Sequence, residues 1–201
     1  MNHINTIIFD FGGVLIDWNP RYMYRDEFEE SSAMEQFLSE VCTDDWNLQQ
    51  DKGRSLAEGT RILQDKFPQH AVKIQLYYDQ WEKMVKGDIP QNVALLRQLK
   101  EKYKLYGLTN WSAETFPIVF KRYSFFTLFD GIVVSGEEKL IKPDKKIFER
   151  MLERYHLEAK DAVFIDDNIH NIQAAKELGF VTIHVQEKTD LKSELVALGL
   201  I

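Results

Sequence analysis

The pattern that most constrains this chain is a repeated alternation of short apolar runs with amphipathic helical segments. Ile4 to Phe9, Leu105 to Leu108, Gly131 to Val134, Ala162 to Ile165 and Phe180 to Val185 are brief and bounded by turn or polar residues. They are mostly rich in β-branched or aromatic side chains, which is how buried strands read. Between them, Pro90 opens a segment with Val93, Leu96, Leu99 and Tyr103 at helical spacing. Pro143 opens another, whose apolar face is Ile147, Phe148, Met151, Leu152 and Tyr155. Proline suits the first helical position, where its missing N–H costs nothing. A third segment carries Ile169, Ile172, Ala175 and Leu178 and stops at Gly179, a residue suited to a left-handed C-terminal cap. Strand, helix, strand in repetition predicts an α/β fold, a parallel sheet with helices on both faces.

One stretch breaks the rhythm. From about Asn19 to Gly87 no convincing strand is legible, only helical patterns rich in aromatic and charged residues, such as Tyr77, Tyr78, Trp81 and Met84 at near-helical spacing. The expected organisation is therefore an α/β core formed by residues 1–18 and 88–201, interrupted by an all-helical cap over residues 19–87. A length of 201 residues suits one domain with such an insert. Placed directly after the first strand, the insert is a candidate lid.

Composition narrows the function. The formal charge of −7 is spread along the chain and offers no basic face for a nucleic-acid backbone. It leaves room for a small anionic ligand, which one local lysine can serve. Cys42 is the single cysteine, so no intramolecular disulfide is possible and a reducing compartment is the simpler expectation. No apolar run approaches the roughly 20 residues of a membrane span, and Asp10 interrupts any signal-peptide stretch. A cytoplasmic protein that binds neither membrane nor nucleic acid is expected. The oligomeric state is not legible.

Ligands of an open parallel sheet bind beyond the carboxyl ends of its strands, and reactive residues fall there four times. The first strand runs into Asp10-Phe11-Gly12-Gly13-Val14, the second into Thr109-Asn110, and the fourth into Asp166-Asp167-Asn168. After the third, a loop leads to Lys142-Pro143. A nucleophile, polar groups, a cation and a carboxylate pair thus share one rim. Asp10 with Asp166 and Asp167 can hold magnesium, which takes oxygen ligands. With charge neutralised, the Asp10 carboxylate can act as a nucleophile and split one displacement into two. Lys142 would neutralise charge on Asp10 and the transferring group, while Thr109 and Asn110 offer hydrogen bonds to ligand oxygens. The Gly12-Gly13 backbone allows close approach of the ligand.

These segments resemble the four motifs of the haloacid dehalogenase superfamily: Phe-Asp-Phe-Gly-Gly-Val-Leu, Leu-Thr-Asn, Lys-Pro-Asp and Ile-Asp-Asp-Asn-x-x-Asn, in order over nearly the whole chain. The resemblance implies a Rossmann-like core, a cap after the first motif, a main-chain carbonyl of Gly12 as a further magnesium ligand, and a small phosphate ester, a sugar phosphate by preference, as substrate. The nearest motif variants include a glucose-1-phosphatase type that also carries Asp-x-Gly.

Gly12 departs from the pattern. Most phosphatases of the superfamily carry a second Asp at this position as general acid and base, and positioned proton transfer is worth roughly 10²–10⁴-fold. Gly12 alone therefore predicts turnover that falls steeply as the leaving group becomes more basic. Two other functions fit parts of the pattern. One is a non-catalytic relative that binds a phosphorylated ligand or a protein. The other is a metal-independent 2-haloacid dehalogenase, against which the carboxylate pair speaks, being costly beside Asp10 without a cation. Gly12-Gly13 does not make G-x-G-x-x-G, so a nicotinamide site is disfavoured. Elsewhere, Asp17 and Trp18 read as packing where the chain enters the insert, Asn171 as orienting a loop, His170 as solvent-facing and Cys42 as packing. Trp46, Asp51, Lys52 and Arg54 cluster in the insert, where a solvated helix connection is the simpler reading and a leaving-group contact the sharper one.

Overall fold

In a computed structural model that describes residues 4–201, the five apolar runs line up as one parallel sheet. Residues 1–3, assigned above to the core, lie outside the described residues. The strands are β1 (Thr6–Phe9), β2 (Ile16–Trp18), β3 (Val85–Asp88), β4 (Lys104–Thr109), β5 (Gly131–Val134), β6 (Ala162–Asp166) and β7 (Val181–His184). Helices α1 (Arg21–Tyr24), α2 (Ser31–Glu40), α3 (Asp44–Asp51), α4 (Leu56–Lys66) and α5 (Ala71–Asp79) lie between β2 and β3. Then come α6 (Pro90–Lys100), α7 (Phe116–Arg122), α8 (Ser135–Glu138), α9 (Lys145–Tyr155), α10 (Ile169–Glu177) and α11 (Leu191–Ala197).

The main sheet runs β5-β4-β1-β6-β7 with every neighbouring pair parallel. The chain steps from β1 out to β4 and β5, then crosses to β6 and β7 on the other side. The order reverses around β1, which opens a crevice beyond the carboxyl ends of β4, β1 and β6. Successive side chains point to opposite faces. Ile7 and Phe9 belong to a core with Leu95, Leu96 and Leu99 of α6 and Leu191 and Leu195 of α11. Ile8 joins Ile147, Phe148 and Met151 of α9 and Ile172 and Ala175 of α10. Burial on both faces explains why these strands read as unbroken apolar runs.

Three local expectations change. The stretch read as free of strands up to Gly87 contains most of β3, which pairs antiparallel with β2 in a two-stranded ribbon at the root of the helical segment. Both strands are too short for a period of two to show. Pro143 does not open α9. The helix starts at Lys145, and Asp144 caps it by accepting the Lys146 N–H at 3.0 Å. Tyr77 to Met84 is not one helix either: α5 ends at Asp79 and Trp81–Met84 forms a 3-10 turn, although Tyr77, Trp81 and Met84 are all buried. At Gly179, by contrast, φ is +93°. The Phe180 N–H reaches Ala175 O at 3.1 Å and the Gly179 N–H reaches Lys176 O at 3.0 Å, a Schellman termination of α10. No helix among the described residues is long and apolar enough to cross a membrane.

The helical segment is seated on the core beside the crevice. Ser135 Oγ donates to the Asp51 carbonyl at 2.5 Å, and the Leu56 N–H donates to Glu114 Oε1 at 2.8 Å. Arg122 and Glu82 form an ion pair across the same junction.

Candidate active site

Asp10 continues β1 by one residue, its N–H donating to Ile165 O of β6 at 2.8 Å. Its Oδ1 accepts the Phe11 N–H at 2.7 Å, and its Oδ2 faces Lys142 Nζ at 3.1 Å. Lys142 is 1% exposed, an unusual place for an ammonium group. Its Nζ is satisfied by Asp166 Oδ2 at 2.6 Å and the Leu108 carbonyl at 2.8 Å, with the Phe164 ring centroid 5.5 Å away. Asp166 is fixed in turn by the Asn168 N–H at 2.8 Å and by Asn171 Nδ2 at 3.0 and 3.1 Å. Asn171 thus orients a carboxylate, while His170 is exposed.

Asp10, Asp166 and Asp167 each bring a carboxylate oxygen within 4.8 Å of the others. Burial pushes the Asp10 carboxyl up to about 7; Lys142 opposes this, and Asp166 and Asp167 add to it. Burial and the neighbouring Asp166 also raise Asp167. At Lys142 burial works to lower the pKa, but Asp10 and Asp166 outweigh it and the net shift is upward. Three carboxylates against one ammonium leave an excess of negative charge. The donor set fits a hard divalent cation, being all oxygen and short of one positive charge carrier.

Thr109 ends β4 at this rim, 1% exposed, and its buried hydroxyl has no hydrogen-bond partner among the described residues. Asn110, expected to hold phosphate oxygens, lines the chamber beside Gly12 and also engages the lysine backbone. Its Nδ2 donates to Lys142 O at 2.9 Å and its Oδ1 accepts the Lys142 N–H at 2.8 Å, so its side chain clamps the lysine backbone. Gly13 has φ +69°, and a Cβ there would sit 2.2 Å from Asp167 Oδ2. At Gly12 a Cβ would meet nothing within 4 Å.

Gly12 opens into a small chamber between the core and the helical segment. Trp18, Tyr78, Trp81 and Trp111 supply aromatic walls, and Asp51 supplies a carboxyl. The helical-segment cluster read from the sequence does not converge here. Trp46 is buried with its indole N–H on Gly59 O at 3.0 Å, Arg54 is held by Gln50 Oε1 at 2.6 Å, and Lys52 is exposed. Only Asp51 of the four lines the chamber. Trp111, which meets Trp81 of the helical segment at 5.8 Å between ring centroids, carried no signal beyond its residue type.

Burial pushes the Asp51 carboxyl up to about 7, against the opposing Ser112 backbone amide. Its position at the C-terminus of α3 also disfavours negative charge. Tyr77 and Tyr78 feel its charge, and Arg54 lies near Tyr78. A carboxyl raised on folding contributes stability below its unfolded pKa, and that contribution is lost as pH rises through the folded value. The melting temperature of Asp51→Asn is therefore expected to fall less than that of the native protein between about pH 4 and pH 7. Parallel melting curves at both pH values would contradict this.

The family model for haloacid dehalogenase-like hydrolases matches residues 7–185. The chain belongs to the haloacid dehalogenase-like hydrolases. It is 27% identical to a sesquiterpene phosphatase of Aspergillus oryzae, over 94% of this chain and 93% of that one. It is 24% identical to a D-ribitol-5-phosphate phosphatase of Bacteroides thetaiotaomicron, over 97% and 98% of the two chains. Among solved structures, a haloacid dehalogenase family enzyme of Bacteroides thetaiotaomicron in complex with magnesium superposes with a TM-score of 0.74 at 25% identity, covering 96% and 98% of the two chains. The wild-type form of that enzyme with magnesium and inorganic phosphate gives 0.73 at 25% identity, covering 95% and 98%.

Proposed function

We propose that the protein is a cytoplasmic magnesium-dependent phosphatase that hydrolyses a small phosphate monoester, preferably a sugar phosphate, through an aspartyl-phosphate on Asp10. The observation that carries this reading is the convergence of Asp10, Asp166 and Asp167 around buried Lys142 at the sheet's switch point. The phosphatase relatives and the magnesium complexes support it. Residues 1–18 and 88–201 act as the hydrolase core in this proposal, and residues 19–87 as a cap over the leaving group. The lone cysteine, which excludes an intramolecular disulfide, supports the cytoplasmic setting.

Asp10, Asp166, Asp167 and the Gly12 carbonyl would hold the ion, which when bound supplies positive charge to the phosphate oxygens. Asp10 Oδ2 attacks phosphorus and receives the phosphoryl group. Lys142 keeps Asp10 ionised and in place. Thr109, whose hydroxyl has no partner among the described residues, donates to a phosphate oxygen. Gly13 gives the phosphate room, and Asn110 serves it by fixing the lysine. Lysine and three carboxylates around one point do not suit a metal-independent dehalogenase.

Release of phosphate from p-nitrophenyl phosphate tests the reading: turnover with magnesium and background rates in EDTA are expected. Full activity in EDTA, or none under any condition, would contradict it. Asp167→Ala should raise the magnesium concentration needed for half-maximal rate by at least about tenfold. Gly13→Ala should do the same for a steric reason, since its Cβ would collide with Asp167, and should cost roughly 1–2 kcal/mol of backbone strain in denaturant titration.

A further inference from the structure

The chamber beyond Gly12 holds one carboxyl among its lining residues, and that carboxyl comes from the helical segment. Gly12 presents no side chain, and the direction its Cβ would take is clear for 4 Å. Asp51 lines the same space from above. Its neighbours fix its orientation. Gln50 Nε2 donates to the Tyr78 hydroxyl at 2.9 Å, and that hydroxyl donates to Asn47 Oδ1 at 2.9 Å. The Asn47 amide is thereby set with its Nδ2 towards Asp51, donating to Oδ2 at 3.1 Å. Oδ2 accepts from Asn47, and the Ser112 backbone amide also reaches the carboxyl, so the group is held in one orientation at the chamber wall. The Asp51 carbonyl is meanwhile tied to the core by Ser135. The carboxyl thus stands on a braced helix end at the junction with the core.

We propose that Asp51 is the general acid and base of this hydrolase, replacing from the helical segment the carboxylate that Gly12 lacks. The inference rests on the phosphatase reading above. As Asp10 Oδ2 bonds to phosphorus, the bond from phosphorus to the leaving oxygen breaks and that oxygen takes the proton of Asp51. The products of this step are a free alcohol, an aspartyl-phosphate on Asp10 and an Asp51 carboxylate. In the second step the Asp51 carboxylate takes a proton from water as the water oxygen attacks phosphorus. The bond from phosphorus to Asp10 breaks, inorganic phosphate leaves, and both carboxyl groups return to their starting states. Burial supports the assignment by holding Asp51 up to about 7, where it can both give and take a proton near neutrality.

With Asp51 in place, the steep leaving-group dependence that Gly12 alone implies is expected only after Asp51 is removed. The experiment is kcat/KM with magnesium for p-nitrophenyl phosphate, phenyl phosphate and a hexose 6-phosphate, in the native protein, Asp51→Asn and Asp51→Glu. Asp51→Asn should lose about 10²–10⁴-fold on the hexose 6-phosphate and less than about threefold on p-nitrophenyl phosphate, whose leaving group needs no proton. Asp51→Glu should recover part of the loss on the basic leaving group only. The retained kcat/KM on p-nitrophenyl phosphate, which does not include the second step, shows that the variant is folded. Its kcat should fall for every ester, because that shared step loses its base. An equal loss across the series would make Asp51 structural and overturn the proposal, as would no loss at all. A native protein inactive on all three esters would fail the phosphatase reading itself, a different result from a flat variant series.

Discussion

Asp10→Asn should fold like the native protein and lose at least about 10⁴-fold in turnover of p-nitrophenyl phosphate. Amide and carboxylate have nearly the same shape, and the amide oxygen can still accept the Phe11 N–H that now reaches Asp10 Oδ1 at 2.7 Å. The change removes a carboxylate that is buried beside Asp166 and Asp167, so the fold loses one source of repulsion and one partner of Lys142. What disappears altogether is the anionic oxygen that attacks phosphorus. Steady-state rates beside a melting curve separate the two effects. Residual turnover above the contaminant level in a folded Asp10→Asn protein would place the nucleophile elsewhere.

Lys142→Met should be the most destabilising of the substitutions considered, by about 3–5 kcal/mol in denaturant titration. Methionine fills much of the lysine's volume but carries no charge. Lys142 Nζ is the one cation within ion-pair distance of Asp10 and Asp166 among the described residues. Its loss leaves two buried carboxylates facing each other and the Leu108 carbonyl without its donor. Turnover should fall by roughly 10²–10³-fold as well, because charge on the transferring group goes uncompensated. The exposed pair Arg61–Asp65 makes the comparison, at 3.0 Å with side chains 67% and 70% exposed. Arg61→Met should cost less than about 0.5 kcal/mol. Similar losses at the two lysine and arginine sites would mean that Lys142 does not hold the rim together.

Much of this arrangement was legible because parallel strands buried on both faces advertise themselves. Gly131–Val134 needed no periodicity beyond an apolar run between turns, and the residues that follow such runs fall at the carboxyl edge by topology alone. Asp10, Thr109, Lys142, Asp166 and Asp167 could therefore be grouped without coordinates. The ribbon of β2 and β3 could not, since three or four residues carry too little alternation and their pairing spans the whole helical segment. Asn110 was placed at the right edge but its direction was not legible, as a side-chain amide at a strand end can face ligand or backbone equally well. In the helical segment, neighbours in sequence diverge around the helix, so Trp46 and Arg54 are tied up with Gly59 and Gln50 while Asp51 lines the chamber. The aromatic chamber arises from contacts between segments far apart in the chain, which one sequence does not encode at the level of pattern.

The most direct test is to find the phosphoryl group on the protein. Native protein is mixed with p-nitrophenyl phosphate and magnesium, quenched in acid on the millisecond scale, and digested for mass spectrometry. The account predicts one added phosphoryl group on the peptide containing Asp10, localised to Asp10, and none when EDTA is present or when Asp10→Asn replaces the native protein. Turnover accompanied by an unmodified Asp10 peptide, or by a phosphoryl group on any other side chain, would contradict it.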